Sequence, residues 1–284
     1  MATTLLSIQS HVVFGHVGNS AVAFPLQRLG AEVLPLNTVQ FSSHAGYAGW
    51  QGRVFDAAAI DECVAGLAAV GALARCDGVL SGYLGKADVG EAMLRAVAAV
   101  RAANPAAAYC CDPVIGDVGR GVYVEAGVAE FLRKRALPTA TIAIPNAFEL
   151  SFVAGLAVDD VAGARRAIAA LQTTGPRVVL ATSLTLNDTP ADALDMIAAD
   201  GGEAWRLRTP RLPIAVNGAG DLIAALFFFH WLRRRSAADA LAAAAASVYG
   251  VVAATLATGG GELKLVEAQD EFVRPTHRFR PEAI

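Results

Sequence analysis

Short apolar runs alternate with longer segments of helical periodicity along most of this chain, and this order restricts the possible folds more than any other feature. The alternation predicts βαβ units and therefore an α/β fold around a mostly parallel sheet. The predicted strands are Thr4–Gln9, Glu32–Asn37, Gly78–Ser81, Ala107–Cys111, Thr141–Ile144 and Arg177–Ala181. The predicted helices between them are Asn19–Leu29, Ala57–Ala74, Val89–Ala103, Val128–Arg135 and Val161–Thr173.

The C-terminal third of the chain departs from this alternation. Asp192–Ala198 and Glu203–Arg208 flank Asp200-Gly201-Gly202 and predict an antiparallel hairpin added to the sheet. Three further helices are predicted at Gly220–Arg233, Ala237–Leu256 and Lys264–Val273. Because no low-complexity linker and no fixed-period repeat interrupts the order, we expect residues 1–284 to form a single domain.

Charge and cysteine usage exclude several classes of protein. Lys and Arg number 23 against 26 Asp and Glu, so no basic field favours a nucleic-acid partner. The four cysteines lack metal-binding spacing, and we expect reduced core thiols in a cytoplasmic protein without a signal peptide. The apolar segments Leu222–Leu232 and Leu241–Ala257 are predicted as buried helices rather than membrane spans.

A glycine-rich turn, Asn217-Gly218-Ala219-Gly220-Asp221, precedes a strongly apolar helix. Backbone N–H groups at such a helix start can bind a phosphate, and glycines allow its oxygens to approach closely. An acid at this position suits a base that accepts a proton from an attacking hydroxyl. The alternative is an ordinary turn in which Asp221 is only a favourable first-turn charge.

Polar residues also follow other predicted strands. Asp112 and Asp117 lie at a strand exit before a glycine-flanked loop, which suits a divalent cation beneath a mobile cover, or else a simple surface turn. Asn146 and Glu149 suit either a capping box or a metal and phosphate site. Thr182 ends a strand, where a hydroxyl can contact a phosphate or form a turn.

Aromatic and imidazole side chains follow the N-terminal strands. Phe41 and His44 lie in one such loop and Tyr83 lies in another, while Ser10 and Val17 follow the first strand. Aromatic faces can enclose a flat heteroaromatic ligand. Core packing is the alternative explanation for Phe41.

Three of these segments resemble a known family. Gly218-Ala219-Gly220-Asp221 resembles the signature of the ribokinase-like kinases, and Ser10-His11-Val12-Val13 with Val39-Gln40-Phe41-Ser42 resembles the pyridoxal kinases among them. The resemblance implies a ribokinase-like, three-layer α/β/α fold. It also implies that the three cradle residues stabilise the transferring phosphoryl group and that Asp221 is the catalytic base.

The same resemblance implies a complete set of ligands. Pyridoxal would contact Ser10, Val17, Phe41, His44 and Tyr83. ATP and Mg²⁺ would lie beside Asp112 and Glu149 as the metal acids, and a monovalent cation such as K⁺ and a homodimer are also implied. The remaining nucleotide-side residues implied are Asp117, Tyr123, Asn146, Thr182, Gly218 and Gly220.

Three positions depart from the family pattern. Ala45 and Ile144 stand where relatives have threonine, and Val122 stands where some bacterial relatives have a cysteine. These departures support one alternative, a catalytically weak protein that binds and stores vitamin B6. A second alternative is a hydroxymethylpyrimidine kinase, which shares the fold, the cradle and the base.

Overall fold

The computed structural model describes residues 2–284 and places ten strands in one sheet. The sheet order is β12-β11-β10-β9-β8-β5-β4-β1-β2-β3, and its centre is parallel from β9 to β2. A separate hairpin consists of β6 and β7. The strands are β1 (Thr4–Val12), β2 (Glu32–Phe41), β3 (Gly52–Val54), β4 (Gly78–Ser81), β5 (Ala108–Cys111), β6 (Gly116–Asp117), β7 (Gly121–Val122), β8 (Ile142–Ala143), β9 (Val178–Leu184), β10 (Ala193–Asp200), β11 (Glu203–Pro210) and β12 (Glu282–Ala283).

Helices cover both faces of the sheet. Several begin directly after an Asp or Ser side chain that accepts a backbone N–H, as Asp56, Asp160 and Ser236 do. A π-helical turn, Leu132–Ala136, joins α4 to α5. The helices are α1 (Asn19–Arg28), α2 (Ala57–Ala69), α3 (Ala87–Ala103), α4 (Val128–Phe131), α5 (Leu137–Thr139), α6 (Ala147–Ala154), α7 (Val161–Gln172), α8 (Ala219–Arg234), α9 (Ala237–Ala257) and α10 (Asp270–Val273).

Alternate residues of the central strands point into two separate cores, as the strand geometry requires. In β1, Leu6 and Ile8 pack with α2 and α3, whereas Leu5 packs with α1 and α8. In β5, Tyr109 and Cys110 divide between the two cores in the same way. This arrangement is the three-layer α/β/α architecture that the sequence predicts.

The two long apolar C-terminal helices pack on one side of the sheet. Phe227, Phe228 and Phe229 of α8 are almost completely buried. Within residues 2–284, α9 alone is long and apolar enough to cross a membrane by length and composition, and half of its most apolar window is buried inside the fold. It packs against α8, β10 and β11.

Two expectations from the sequence are wrong. The helix predicted over Lys264–Val273 is present only at Asp270–Val273, and residues 265–269 form turns in which Leu265 and Ala268 are buried. The four cysteines are free, but Cys63 on α2 is exposed rather than buried in the core. The short strands β3, β6, β7 and β12 were not predicted, since their pairing depends on distant segments.

Candidate active site

A cavity of about 430 Å³ lies where the parallel strands end at their carboxyl termini. The loops after β1, β2, β4, β5 and β8 and the last part of β9 meet there with the start of α8. Every site residue that the sequence predicts lines this one cavity: Ser10, Val17, Phe41, His44, Tyr83, Asp112, Asp117, Tyr123, Asn146, Glu149, Thr182, Gly218, Ala219, Gly220 and Asp221.

The glycine-rich turn forms one wall of the cavity at the N-terminus of α8. Gly218 has φ +84°, and any side chain there would overlap the carbonyl oxygen of His16, so the position requires glycine. Gly220 is exposed towards the cavity. This backbone offers unpaired N–H groups and the positive end of the helix dipole to an anion.

Asp221 lies in the first turn of α8, directly after this cradle. Burial raises the pKa of its carboxyl to about 6, and a hydrogen bond from the backbone N–H of Gly18 limits the increase. The carboxylate is therefore ionised at neutral pH and still has a pKa high enough to accept a proton. This combination suits a general base better than a simple surface charge.

Two further carboxylates are buried in the cavity wall. Asp112 and Glu149 are 8% and 3% exposed. Burial raises the pKa of Asp112 well above its usual range, and the charges of Glu149 and Asp221 raise it further. Burial also raises the pKa of Glu149 to about 7, although backbone N–H groups oppose the increase. The charges of Glu149 and Asp221 therefore disfavour the ionised form of Asp112.

Asn146 and Glu149 form the capping box at the start of α6. The Asn146 side chain accepts the Glu149 N–H at 2.9 Å, and Glu149 Oε2 accepts the Asn146 N–H at 2.9 Å. The other carboxylate oxygen accepts the N–H of Ile115 at 2.9 Å, and the Asn146 amide donates to the Gly116 carbonyl at 2.8 Å. The capping box that the sequence predicts is thus present, and the same bonds join α6 to the β6–β7 hairpin beside the cavity.

The hairpin of β6 and β7 contributes to the cavity wall. Asp117 at the end of β6 and Arg120 in the turn both line the cavity, and the Arg120 Cζ lies 5.1 Å from the centroid of the Tyr123 ring. Burial raises the pKa of Tyr123, with smaller contributions from the cavity acids, so the phenol stays protonated.

The wall of the cavity beside β1 and β2 is partly apolar. Val12, Val17, Val39 and Phe41 form a small buried cluster against which Tyr83 packs. The Phe41 ring also lies 4.6 Å from the Trp50 ring, centroid to centroid. Phe41 is thus a packed core residue that also lines the cavity, so both explanations of its role are compatible.

A buried polar network lies beneath this pocket and was not predicted from the sequence. The Ser7 hydroxyl donates to Asn19 Oδ1 at 2.7 Å, and Asn19 Nδ2 donates to Asn37 Oδ1 at 2.8 Å. The Thr38 hydroxyl donates to the Tyr83 carbonyl at 2.6 Å. These bonds join β1, α1, β2 and the Tyr83 loop, and they hold the pocket walls together.

Other lining residues were also not assigned from the sequence. Arg120 lies between two glycines in the predicted cover, and Ser183 directly follows Thr182. Their positions in the sequence next to predicted site segments could have marked both as site residues. Ser183 has φ +54°, an uncommon conformation for a residue other than glycine. The remaining residues are Val12, Ala45, Gly46, Val114, Ile144, Val216, Asn217 and Ile223.

Comparison with known proteins covers almost the whole chain. A profile described as phosphomethylpyrimidine kinase matches residues 57–265. Pyridoxal kinase from Granulibacter bethesdensis is 51% identical over 97% of this chain and 98% of its own length. The Rubrobacter xylanophilus pyridoxal kinase is 49% identical over 97% and 95%, respectively.

The chain belongs to the pyridoxal kinase family. The solved pyridoxal kinase from Leishmania donovani in complex with ADP and pyridoxamine has a TM-score of 0.91 and 31% identity, with 99% of each chain covered. This similarity confirms the ribokinase-like fold expected from the sequence.

Proposed function

We propose that this chain transfers the γ-phosphoryl group of ATP to the 5′-hydroxymethyl group of pyridoxal, in vitamin B6 salvage, and also accepts pyridoxine and pyridoxamine. One observation carries the proposal: an apolar aromatic pocket and a helix-terminal anion cradle open into the same cavity, with Asp221 at the start of α8. Membership of the family supports this substrate class.

The residues of the chain account for the proposed chemistry by position and charge. Ser10, Val17, Phe41, His44 and Tyr83 bind the pyridine ring, and Asp221 accepts the hydroxyl proton as the 5′ oxygen bonds to the γ-phosphorus. The bond to the bridging oxygen of ADP breaks in the same in-line displacement. Backbone N–H groups of Gly218, Ala219 and Gly220 stabilise the charge on the phosphoryl oxygens.

Asp112 and Glu149 fit a bound Mg²⁺ ion because their oxygens are hard ligands and their burial is costly without a cation. Within residues 2–284, no three His, Cys, Asp or Glu side chains cluster as a protein-only metal site. The phosphates and water would therefore complete the coordination. When bound, the ion supplies positive charge to the phosphates. Asp117, Tyr123, Asn146 and Thr182 complete the nucleotide side.

Several properties of the whole molecule belong to the same proposal. Residues 1–284 act as one kinase domain, which the single ten-stranded sheet supports. We also propose a cytoplasmic homodimer that binds neither nucleic acid nor membrane and uses a monovalent cation such as K⁺. Sedimentation equilibrium tests the dimer, and replacement of K⁺ by tetramethylammonium in the assay tests the monovalent ion.

A second candidate substrate is hydroxymethylpyrimidine, because the matching profile is described as phosphomethylpyrimidine kinase. Pyridoxal is favoured by the relatives that match over nearly the full length. The test is ADP release by purified protein with pyridoxal, pyridoxine, pyridoxamine and hydroxymethylpyrimidine. Faster turnover of hydroxymethylpyrimidine would replace the proposal, and tight pyridoxal binding without ADP release would favour the storage protein.

A further inference from the structure

The charges around the cavity are unbalanced. Four carboxylates, those of Asp112, Asp117, Glu149 and Asp221, line it. Among the described residues that line the cavity, Arg120 is the single lysine or arginine. A nucleoside triphosphate adds several negative charges to this set, so a fixed cation near the phosphates would lower the electrostatic cost of binding and transferring them.

Arg120 lies where it can supply this charge. It is flanked by Gly119 and Gly121, with φ +81° and +69°, at the tip of the β6–β7 hairpin. Its guanidinium stacks on Tyr123 on the proposed nucleotide side of the cavity. On the proposed pyridoxal side, burial lowers the pKa of His44, and the charge of Arg120 lowers it further. Within residues 2–284, no ion pair to a carboxylate occupies the guanidinium.

We propose that Arg120 is a catalytic residue that donates hydrogen bonds to the γ-phosphoryl oxygens during transfer. This inference rests on the proposed kinase function. The guanidinium remains protonated and forms no covalent bond, while the proton of the 5′ hydroxyl goes to Asp221. The planar N–H donors of the guanidinium match the geometry of phosphoryl oxygens. Their hydrogen bonds become stronger in the transition state, where negative charge spreads over these oxygens.

The test measures kcat, both KM values and the dissociation constant for pyridoxal in Arg120→Gln, Arg120→Lys and Arg120→Ala. We expect kcat to fall about 10²-fold to 10³-fold in Arg120→Gln, as for loss of one transition-state donor. We expect pyridoxal affinity to stay within about twofold, because the donor acts on the phosphoryl group. We also expect partial activity in Arg120→Lys and recovery of Arg120→Ala by added guanidinium.

Val118→Ala is the matched control, because Val118 is 69% exposed on the same hairpin and does not line the cavity. Its kcat should equal that of the wild type. Full turnover by Arg120→Gln, an equal loss in Val118→Ala, or no recovery with guanidinium would each overturn the role of Arg120. Wild-type protein without pyridoxal-dependent ADP release would instead overturn the kinase proposal on which this role rests.

A second inference comes from a different contact, the carboxylate of Glu262 in the loop after α9. Its Oε2 accepts the backbone N–H of His16 at 3.0 Å, and its Oε1 accepts the Tyr47 hydroxyl at 2.6 Å. Gly15 has φ +93°, and a side chain there would overlap this carboxylate. Glu262 thus connects three segments that are distant in the sequence.

Both partners of Glu262 contact residues that line the cavity. Tyr47 donates its N–H to the carbonyl of His44 at 3.0 Å, and His44 lines the acceptor pocket. The His16 carbonyl lies against Gly218 of the cradle. We infer that Glu262 is a positioning residue that holds the His44 loop and the cradle in their relative places.

The test compares Glu262→Gln and Tyr47→Phe with Glu267→Gln, a neutral control at an exposed ion pair of the same segment. We expect the KM for pyridoxal to rise about tenfold in Glu262→Gln and less in Tyr47→Phe, with the KM for ATP within about twofold. A lower melting temperature with both KM values unchanged, or the same KM change in Glu267→Gln, would reduce Glu262 to a structural contact.

Discussion

The protein buries acidic side chains in two regions, but only in one of them are the carboxylates paired with arginines. On β10, Asp195 is fully buried and accepts hydrogen bonds from Arg206 and Arg208, the latter at 2.8 Å. In the cavity, Asp112 and Glu149 are almost as buried, yet neither forms an ion pair with a lysine or arginine in the described part of the chain.

The acidities of the two regions follow from this difference. Burial acts to raise the pKa of Asp195, but hydrogen bonds from Arg208 and Arg206 outweigh it and lower the pKa to about 2. In the cavity, burial prevails and raises the pKa of Glu149 to about 7 and that of Asp221 to about 6. A buried acid that is paired with arginines supports the fold, whereas buried acids without a positively charged partner indicate a site that receives a cation or a proton.

Among the substitutions that test this comparison, Asp221→Asn is expected to have the largest effect, a loss of turnover. Asn keeps the shape of the side chain but cannot accept the hydroxyl proton, so kcat should fall by about 10²-fold to 10⁴-fold. Binding of pyridoxal and ATP, measured by calorimetry, should change little. A folded variant with most of its turnover would leave Asp221 as a first-turn charge only.

The pH profile provides a second readout of the same prediction. A base must be ionised, so wild-type kcat/KM should fall as the pH decreases below about 6, where Asp221 becomes protonated. This acidic limb should be absent from the residual activity of Asp221→Asn.

A substitution at Asp195, which is paired with arginines, should lower the stability of the protein rather than its catalytic rate. Asp195→Ala removes the buried carboxylate that Arg206 and Arg208 share and leaves Arg206 with its exposed partner Asp188, so the free energy of unfolding should fall by about 3 kcal/mol. Denaturant unfolding measures this loss. The kcat of the folded variant should equal that of the wild type, and a large loss of turnover without loss of stability would break the comparison.

Metal binding should depend on pH in the cavity. The folded pKa of Glu149 is raised from 4.5 to about 7, so its neutral form stabilises the protein below about pH 4.5, and this stability is lost as the pH rises through 7. Mg²⁺ should therefore raise the melting temperature in the presence of ADP by more at pH 8 than at pH 5.5. Glu149→Gln should reduce this difference, and equal stabilisation at both pH values would contradict it.

The smallest predicted effect concerns the acceptor pocket. Tyr83→Ala removes an aromatic face and should weaken pyridoxal binding about fivefold, with ATP affinity unchanged. Titration calorimetry with each ligand measures the pyridoxal affinity and the ATP affinity separately. An equal loss for both ligands would show that the substitution disturbs the cavity as a whole.

Much of the site followed from local sequence because its residues come directly after strands. Asp112, Asn146 and Thr182 were found this way, since the carboxyl ends of parallel strands meet at one edge of a sheet. Arg120 was not assigned, because a loop cation has no local signal that separates it from a solvated charge. The capping box at Glu149 was also visible in sequence, but its bond to Ile115 was not.

Local periodicity and turn chemistry were sufficient for the α/β class, the cradle and the order of most elements, because each depends on residues only a few positions apart. The tertiary structure decided the features that join distant segments. Glu262 meets His16 across 246 positions, and Arg206 and Arg208 meet Asp195 from the next strand. Whether a buried acid is paired depends on such packing, so its pKa and its role follow only from the folded chain.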